Sequence, residues 1–347
     1  MWLISLRDLQ YRYRRFLIAI AVTALVFGIA VAIDGIKQTL QREPADLVAS
    51  FDADTWVVRQ GSSGLFTTNA VLPASVVATL RETAGVRSAE PVVTGRTTVL
   101  TGKRENVNLL GYDLRRGGPE IVEGRAAAGD REVVVGDGLD VALGDRLATT
   151  SGVFRVVGRA DGSRYNGGAP TMFLTVKGAQ RVSVDGLPLV MGVAVQGRPE
   201  TLPKGTSLAT NSRAVEDLRL TIKSATATID FVALLTWLIA AGVIGAIVYL
   251  TAIERTRDFA VLRATGSPKR LVVGGLMIQS LVVALVAAIL AVPLAFVLRI
   301  GMPLPVTLSG GSMIRIVIVG IVVGVLASLA AVRRAITTDP ALAFGGV

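Results

Sequence analysis

The sequence contains neither histidine nor cysteine among its 347 residues. It therefore has no Ser-His-Asp or Cys-His nucleophile, no zinc site built from Cys and His, no haem bound through either residue and no disulfide. Charged residues make up only 18% of the chain and aromatic residues 5%. Catalysis would have to use carboxylates, Lys, Tyr or Ser, and no grouping of these residues along the chain marks an enzyme. We expect no catalytic residue, no metal site and no directly bound cofactor.

Hydrophobic residues are abundant instead, at 51% of the chain, and the mean hydropathy is +0.58. A bilayer core of about 30 Å needs roughly 20 helical residues. Four stretches without any ionisable side chain approach or exceed this length: 16–33, 231–253, 271–298 and 316–332. The sequence predicts four transmembrane helices at 16–36, within 226–253, at 271–298 and at 313–332, the last with Arg315 reaching back to the membrane surface.

The basic residues of the short flanking segments predict the orientation, because Lys and Arg collect on the cytoplasmic side. Eleven lie in the N-terminal segment, in the loop between the second and third spans, and in the tail; they are Arg7, Arg12, Arg14, Arg15, Arg255, Arg257, Arg263, Lys269, Arg270, Arg333 and Arg334. The loop 299–312 carries Arg299 alone. We therefore expect a multi-pass protein of the bacterial cytoplasmic membrane with both termini inside, and we assign the net charge of +10 to topology rather than to nucleic-acid binding.

The N-terminal segment allows two alternatives at each of two places. Residues 1–15 have apolar side chains at helical spacing and are typical of an amphipathic helix in the cytoplasmic interface, or of a simple extension of the first span. Ala30-Val31-Ala32 resembles a signal-peptidase site, but the apolar stretch before it is long for a signal peptide, which favours an uncleaved anchor.

Residues 37–225 have an ordinary soluble composition, and we expect them to form an extracytoplasmic α+β domain of two subdomains. Helices are predicted at 73–83, 137–143 and 176–182, and a helical run from Asn211 is predicted to continue into the second span as a stalk. Loops at 61–64 and 164–168 are predicted to be mobile. Strands are predicted at 55–59, 92–100, 107–111, 132–135, 146–150, 153–158, 171–174 and 189–195.

Two sequence features could suggest enzyme chemistry. Residues 95–104, GRTTVLTGKR, have six residues between the glycines and no Ser or Thr after Lys103, so they do not form a phosphate-binding P-loop. Glu120 and Glu123 follow a Gly-Gly-Pro turn and are predicted to lie on a solvated surface. Neither feature supports a nucleotide site or acid-base catalysis in this chain.

The cytoplasmic loop 254–270, ERTRDFAVLRATGSPKR, is the most informative segment. It predicts a short helix that shows Phe259, Val261 and Leu262 between charged ends and stops at Gly266. Such a helix is typical of a docking element for a soluble partner, or of a tight turn whose apolar residues enter the membrane interface.

This loop resembles a segment of the FtsX/MacB-type ABC transporter permeases, in which a Glu precedes a Leu-Arg-Ala-x-Gly stretch, present here as 262–266. The tail 333–344, the N-terminal Leu6-Arg7-Asp8-Leu9, and outer segments such as Leu143-Gly144-Asp145-Arg146-Leu147 are similar to the same family. The tail departs from the family pattern where Phe344 follows Ala343. The resemblance covers essentially the whole chain.

The resemblance implies a permease without catalytic activity of its own, which couples ATP hydrolysis by a separate ATPase subunit to movement of a MacB-like extracytoplasmic domain. ATP and Mg²⁺ would be bound by that ATPase, expected in two copies. The other implied partners are a second permease subunit in a homodimer, membrane lipids and an extracytoplasmic accessory protein. Mechanotransmission of this kind serves export or extraction of lipids, peptides or drug-like molecules. The implied ATPase-coupling residues are Glu254, Arg255, Arg257, Asp258, Phe259, Val261, Leu262, Arg263 and Gly266.

Small residues in the second and fourth spans predict close helix packing at Gly242, Gly245, Gly320 and Gly324, although glycine is common throughout this chain. An alternative function of a different class is a membrane-anchored receptor or scaffold that regulates an extracytoplasmic partner, such as a cell-wall hydrolase, without transport. The absence of a co-purifying ATPase would favour that alternative.

Overall fold

The computed structural model describes residues 13–62, 64–66, 70–100, 104–161, 169–254, 269–300 and, in the last segment, 310, 311, 313, 314, 317–322, 325, 326 and 329. The chain divides into two compact units, one formed by residues 40–226 and the other by 1–39 with 227–347. Two long helices contribute to both units: α1, Tyr13–Ser50, and α4, Asn211–Glu254. The predicted helical run from Asn211 into the second apolar stretch is confirmed, and α1 continues beyond its apolar stretch to Ser50.

Residues 40–226 form a domain around one mixed sheet whose strand order is β12-β1-β11-β3-β4-β9-β6-β8-β5, with β7 beside β3 and β8. Two short helices belong to it, α2 at Ser75–Arg81 and α3 at Val176–Ser183. A separate two-stranded ladder pairs β2 with β10. The strands are β1 Thr55–Arg59, β2 Leu72–Pro73, β3 Val86–Leu100, β4 Arg104–Gly111, β5 Ile121–Gly124, β6 Glu132–Val135, β7 Arg146–Thr149, β8 Gly152–Ala160, β9 Thr171–Leu174, β10 Leu189–Val190, β11 Gly192–Gly197 and β12 Thr206–Thr210.

Two hydrophobic cores lie on opposite faces of this sheet, because successive side chains of a strand point to opposite sides. Val57 of β1 belongs to one core, and its neighbours Trp56 and Val58 belong to the other. Helices α2 and α3 cover the first face through side chains such as Leu80 and Ala179, both fully buried. The expected two subdomains are not separate, since the 15-residue strand β3 pairs with β11 in one half and with β4 in the other.

The structure corrects the predicted helix at 137–143, which is an irregular segment. Gly138 has a φ of +95°, a left-handed conformation that interrupts a right-handed helix. The carbonyls of Leu139 and Val141 accept hydrogen bonds from the Arg159 guanidinium, at 2.9 and 3.2 Å, in place of helical N–H groups. The predicted strand 189–195 is also divided, into β10 and β11.

The other predicted elements of the domain are confirmed within one or a few residues at their ends, with β3 beginning six residues earlier than expected. Strands β2, β5 and β12 were not predicted. Glu123 lies in β5 and is exposed, in agreement with its interpretation as surface. The loop at 164–168 lies outside the described residues, as does Ser63 in the loop 61–64.

The other unit is a helical bundle built from the first part of α1, the second part of α4, helix α5 at Lys269–Ile300, and the segment 310–329, whose described positions are all helical. Five alanines form one buried face of α5, at Ala284, Ala287, Ala288, Ala291 and Ala295. They pack with Phe27 of α1 and with Ile244 of α4. Within the described residues, three helical stretches are long and apolar enough to cross a membrane: Ile20–Ser50, Asn211–Ala246 and Leu281–Ile300.

Candidate functional site at the roots of the two long helices

The end of α1 and the start of α4 are buried together in the second core of the domain. Leu47 and Val48 of α1 are 6% and 2% exposed, and Ala214 and Leu218 of α4 are 2% and 1% exposed. The four-residue spacing of Ala214 and Leu218 places both on one side of α4. Interiors of this kind are packed as densely as organic crystals, so a displaced helix must carry its neighbours along or leave a void. We name the buried end of α1 and the buried start of α4, together with the residues that bond to them, the helix-root site. The bonded residues are Ala53, Trp56 and 64–66.

Asn211, the first residue of α4, fixes the start of this helix with two side-chain hydrogen bonds. Its Oδ1 accepts from the Trp56 indole Nε1 at 2.7 Å, and its Nδ2 donates to the Ala53 carbonyl at 2.7 Å. Trp56 is fully buried and packs edge-on against Phe51, with 5.3 Å between ring centroids. The amide therefore joins α4 both to strand β1 and to the short segment that follows α1.

Asp217 lies between the buried positions of α4 and is 2% exposed. Its carboxylate accepts a hydrogen bond from the backbone N–H of Phe66 at 2.8 Å. A Cβ atom at Gly64 would lie 2.1 Å from the same carboxylate, so any other residue at this position would displace the Asp217 side chain. Thr94 of β3 donates to the Leu65 carbonyl at 3.0 Å. Residues 64–66 are thus attached to α4 on one side and to the sheet on the other.

A cleft of about 230 Å³ opens beside Phe51, between strands β3 and β11 and the loop after β4. That loop also closes the end of α1, because the Gly118 N–H donates to the Ser50 carbonyl at 2.6 Å and Gly118 adopts a φ of +97°. Glu90 lines the cleft and is 6% exposed. Its carboxylate pairs with Arg116 at 2.6 Å and with Arg81 at 3.2 Å.

Tyr112 lies in the wall of the same cleft and packs edge-on against Phe51, with 4.8 Å between centroids. Burial, assisted by the negative charge of Glu90, raises the pKa of the Tyr112 phenol to about 12. The hydroxyl is therefore protonated at neutral pH and does not serve as a base. In the described residues no cluster of three or more Asp or Glu side chains has an arrangement that could hold a metal ion. The charged side chains at this cleft form ion pairs with one another, with Glu90 between Arg116 and Arg81.

The structure describes only part of the residue set that sequence reasoning singled out. Glu254 is the last residue of α4 and is exposed. Gly320 is buried, and a Cβ atom there would lie 2.9 Å from the Phe27 ring. Gly242 is exposed, and a Cβ atom there would have no described atom within 4 Å, whereas Gly245 is half-buried. The remaining coupling and packing residues lie outside the described residues; they are Arg255, Arg257, Asp258, Phe259, Val261, Leu262, Arg263, Gly266 and Gly324.

Two family models match the chain in succession. The MacB-like periplasmic core domain matches residues 16–217, and the FtsX-like permease C-terminal domain matches residues 231–340. Uncharacterized ABC transporter permeases of Mycobacterium tuberculosis, Rv0072 and Rv2563, are each 36% identical to the chain over 344 residues, covering 99% of both sequences. The chain belongs to the MacB/FtsX-type ABC transporter permeases.

The permease is thus an integral membrane protein with an extracytoplasmic MacB-like domain, residues 40–226. Among solved structures, it is similar to the periplasmic region of MacB from Actinobacillus actinomycetemcomitans, with 13% identity and a TM-score of 0.36 over 48% of this chain and 92% of that one. It is also similar to the extracellular domain of the transporter YknZ from Gram-positive bacteria, with 14% identity and a TM-score of 0.34 over 49% of this chain and 94% of that one.

Sequence reasoning found the permease family but missed the helix-root site. Asn211 was recognised only as a helix start, and the roles of Trp56 and Asp217 were not predicted. The available signal was an Asp at the centre of an apolar face, since Ala214, Asp217 and Leu218 share one side of α4. A buried carboxylate requires a hydrogen-bond donor, and here the donor lies 151 residues away along the chain.

Proposed function

We propose that this permease couples ATP hydrolysis by a separate ATPase subunit to movement of its extracytoplasmic domain. The working unit is a homodimer of permease chains with two ATPase subunits, and both termini of each chain are cytoplasmic. Its task is the export or extraction of a lipid, a peptide or a drug-like molecule. Membership of the ABC permease family supports an ATPase partner, because such permeases act together with an ATPase.

The observation that carries the proposal is the continuity of α1 and α4 from apolar stretches into the core of the domain. Helix α1 has 38 residues and ends in the helix-root site, and helix α4 has 44 residues and begins there. A helix resists bending and compression because its turns are closed by backbone hydrogen bonds, of which α1 lacks one at Pro44, inside the domain. A shift made at one end of such a helix therefore reaches the other end with little loss.

The proposed input is the loop 254–270, which begins at the last residue of α4. An ATPase that held Phe259, Val261 and Leu262 would move α4 directly as it bound and hydrolysed ATP. The proposed output is the extracytoplasmic domain, where Asn211 and Asp217 attach α4 to β1 and to residues 64–66. The apolar stretches contain no ionisable residue between their ends, which favours handling of substrate by the domain over passage of a polar substrate through the spans.

The test uses the permease purified from its native membrane together with any ATPase that accompanies it. Hydrogen exchange of residues 47–58 and 206–218 is compared between MgADP and MgATP with vanadate. A co-purifying ATPase and a nucleotide-dependent change of exchange at these residues are the expected result. A complex without an ATPase, or without any such change, would contradict the proposal and favour a receptor or scaffold.

Leu262→Asp tests the input of the same mechanism. It places a carboxylate in the proposed ATPase contact, where desolvation costs on the order of 1–3 kcal/mol. We expect weaker ATPase binding and loss of the nucleotide-dependent change in exchange. Leu187→Asp makes the same chemical change at a side chain of the domain that is 55% exposed, and it should leave both properties unchanged. An unaffected Leu262→Asp complex would exclude docking at this position.

A further inference from the structure

An ion pair joins α1 to α4 near the ends of their apolar stretches. The ammonium of Lys37 lies 2.5 Å from Oδ1 of Asp230, although the two residues are 193 positions apart in the sequence. Lys37 follows the first apolar stretch by four residues, and Asp230 directly precedes the second. The pair therefore lies where both helices are predicted to leave the same side of the bilayer.

The residues around Lys37 favour Asp230 as its partner. Asp34, one turn earlier on α1, accepts a hydrogen bond from the Gln38 amide at 2.7 Å. The side chains of Lys37 and Asp230 are 31% and 53% exposed, so in bulk water their attraction would be small. At a membrane boundary the effective dielectric constant is lower than in water, and opposite charges attract one another more strongly.

A second contact between the same helices lies deeper in the bundle. Phe27 of α1 and Trp237 of α4 have ring centroids 5.6 Å apart, and Phe27 is fully buried. An apolar ring contact resists sliding only through the fit of the side chains around it, because it has no donor and acceptor that hold the helices at one position. The ion pair adds a directional contact that is lost when either helix moves along its axis by one turn, about 5.4 Å.

We propose that Lys37 and Asp230 are positioning residues that hold α1 and α4 in register, so that a displacement entering α4 near Glu254 reaches the domain through both helix roots together. This inference rests on the proposed function, since it concerns how the movement is divided between the two helices. Without the pair, the bundle parts of α1 and α4 lose this fixed register, and the response at the end of α1 falls more than the response at the start of α4.

The test measures hydrogen exchange at the two roots separately in the permease and ATPase complex, with MgADP and with MgATP plus vanadate. In Asp230→Asn we expect the nucleotide-dependent change at residues 47–58 to fall at least threefold, while the change at 206–218 and the ATPase rate are retained. The charge swap Lys37→Asp with Asp230→Lys should restore the response at 47–58. Arg125→Gln is the matched control, because it removes another 2.5 Å surface ion pair, with Glu132, that joins no long helices.

Cysteine cross-linking gives an independent measurement, because the chain has no native cysteine. Lys37→Cys with Asp230→Cys, joined by a short bifunctional reagent, should keep the full response at both roots, since the helices are proposed to move as one. Loss of the response on cross-linking would overturn the inference, as would a full response at 47–58 in Asp230→Asn or a charge swap that fails to restore it. A wild-type complex without any nucleotide response would instead overturn the proposed function and this inference with it.

Discussion

At the scale of single residues, one amide side chain connects parts of the chain that are 155 positions apart. Replacing it in Asn211→Ala leaves the Trp56 indole N–H and the Ala53 carbonyl buried without their partner. An unsatisfied buried polar group costs about 1–3 kcal/mol, so we expect a clear fall in the unfolding temperature of the detergent-solubilised permease. Asn211→Asp should also lower this temperature, because it keeps the acceptor for Trp56 but turns a carboxylate oxygen toward the Ala53 carbonyl, where the amide donated a hydrogen bond.

The control for this prediction is Asn106→Ala, which removes an exposed side-chain hydrogen bond of 3.1 Å with Thr98. Exposed bonds of this kind are replaced by water and contribute little. Equal unfolding temperatures for Asn211→Ala and Asn106→Ala would show that the helix-root contacts do not stabilise the domain.

Glu132 makes the stability of the domain depend on acid pH. Hydrogen bonds from Arg125 and from the backbone N–H groups of Ala128 and Gly129 lower the pKa of its carboxyl from 4.5 to about 2. Because the folded pKa is depressed, the ionised carboxylate stabilises the fold above pH 4.5, and this contribution is lost as the pH falls toward 2. We expect the unfolding temperature of Glu132→Gln to change less between about pH 5 and pH 2.5 than that of wild type. Identical pH profiles would contradict this.

At the scale of helices and strands, local patterns predicted most of the domain. Alternation of buried and more exposed residues marks a strand such as β8, and a short continuous apolar run marks β6 and β9. Strand β2 is only two residues long, and three of the four residues of β5 are exposed, so neither has an apolar run that marks a strand. The segment 137–143 misled prediction because its carbonyls bond to Arg159, 18 or more residues later in the chain. The contacts of the helix-root site escaped prediction for the same reason, since each joins segments distant in the sequence.

Helix packing in the bundle is testable at two glycines in different surroundings. Gly320→Leu forces atoms into the ring of Phe27, which is fully buried and already packs against Trp237. Overpacking of this kind typically costs about 1–3 kcal/mol, so we expect a lower unfolding temperature in detergent. Gly242→Leu adds the same side chain at an exposed position and should leave that temperature unchanged. A Gly320→Leu protein as stable as Gly242→Leu would exclude close packing at Gly320.

At the scale of the whole molecule, the orientation of the chain remains a prediction from the eleven basic residues of its short flanking segments. Single cysteines replacing Ser151 and Ser267 are unique thiols in this sequence. In intact cells an impermeant thiol reagent should label the cysteine at 151, in the domain, and should reach that at 267 only after permeabilisation. The opposite pattern would invert the topology.

The pairing of the first strand of the domain with its last two also affects how the protein is made. Strand β1 lies between β11 and β12, so neither of its edges is covered until residues 192–210 have been synthesised. At a typical synthesis rate of about 5–20 residues per second, the interval between Trp56 and Asn211 is roughly 8–30 s. During that time β1 has open edges and Trp56 lacks its partner. Until β11, β12 and the start of α4 have emerged, the nascent domain therefore exposes strand edges that favour aggregation.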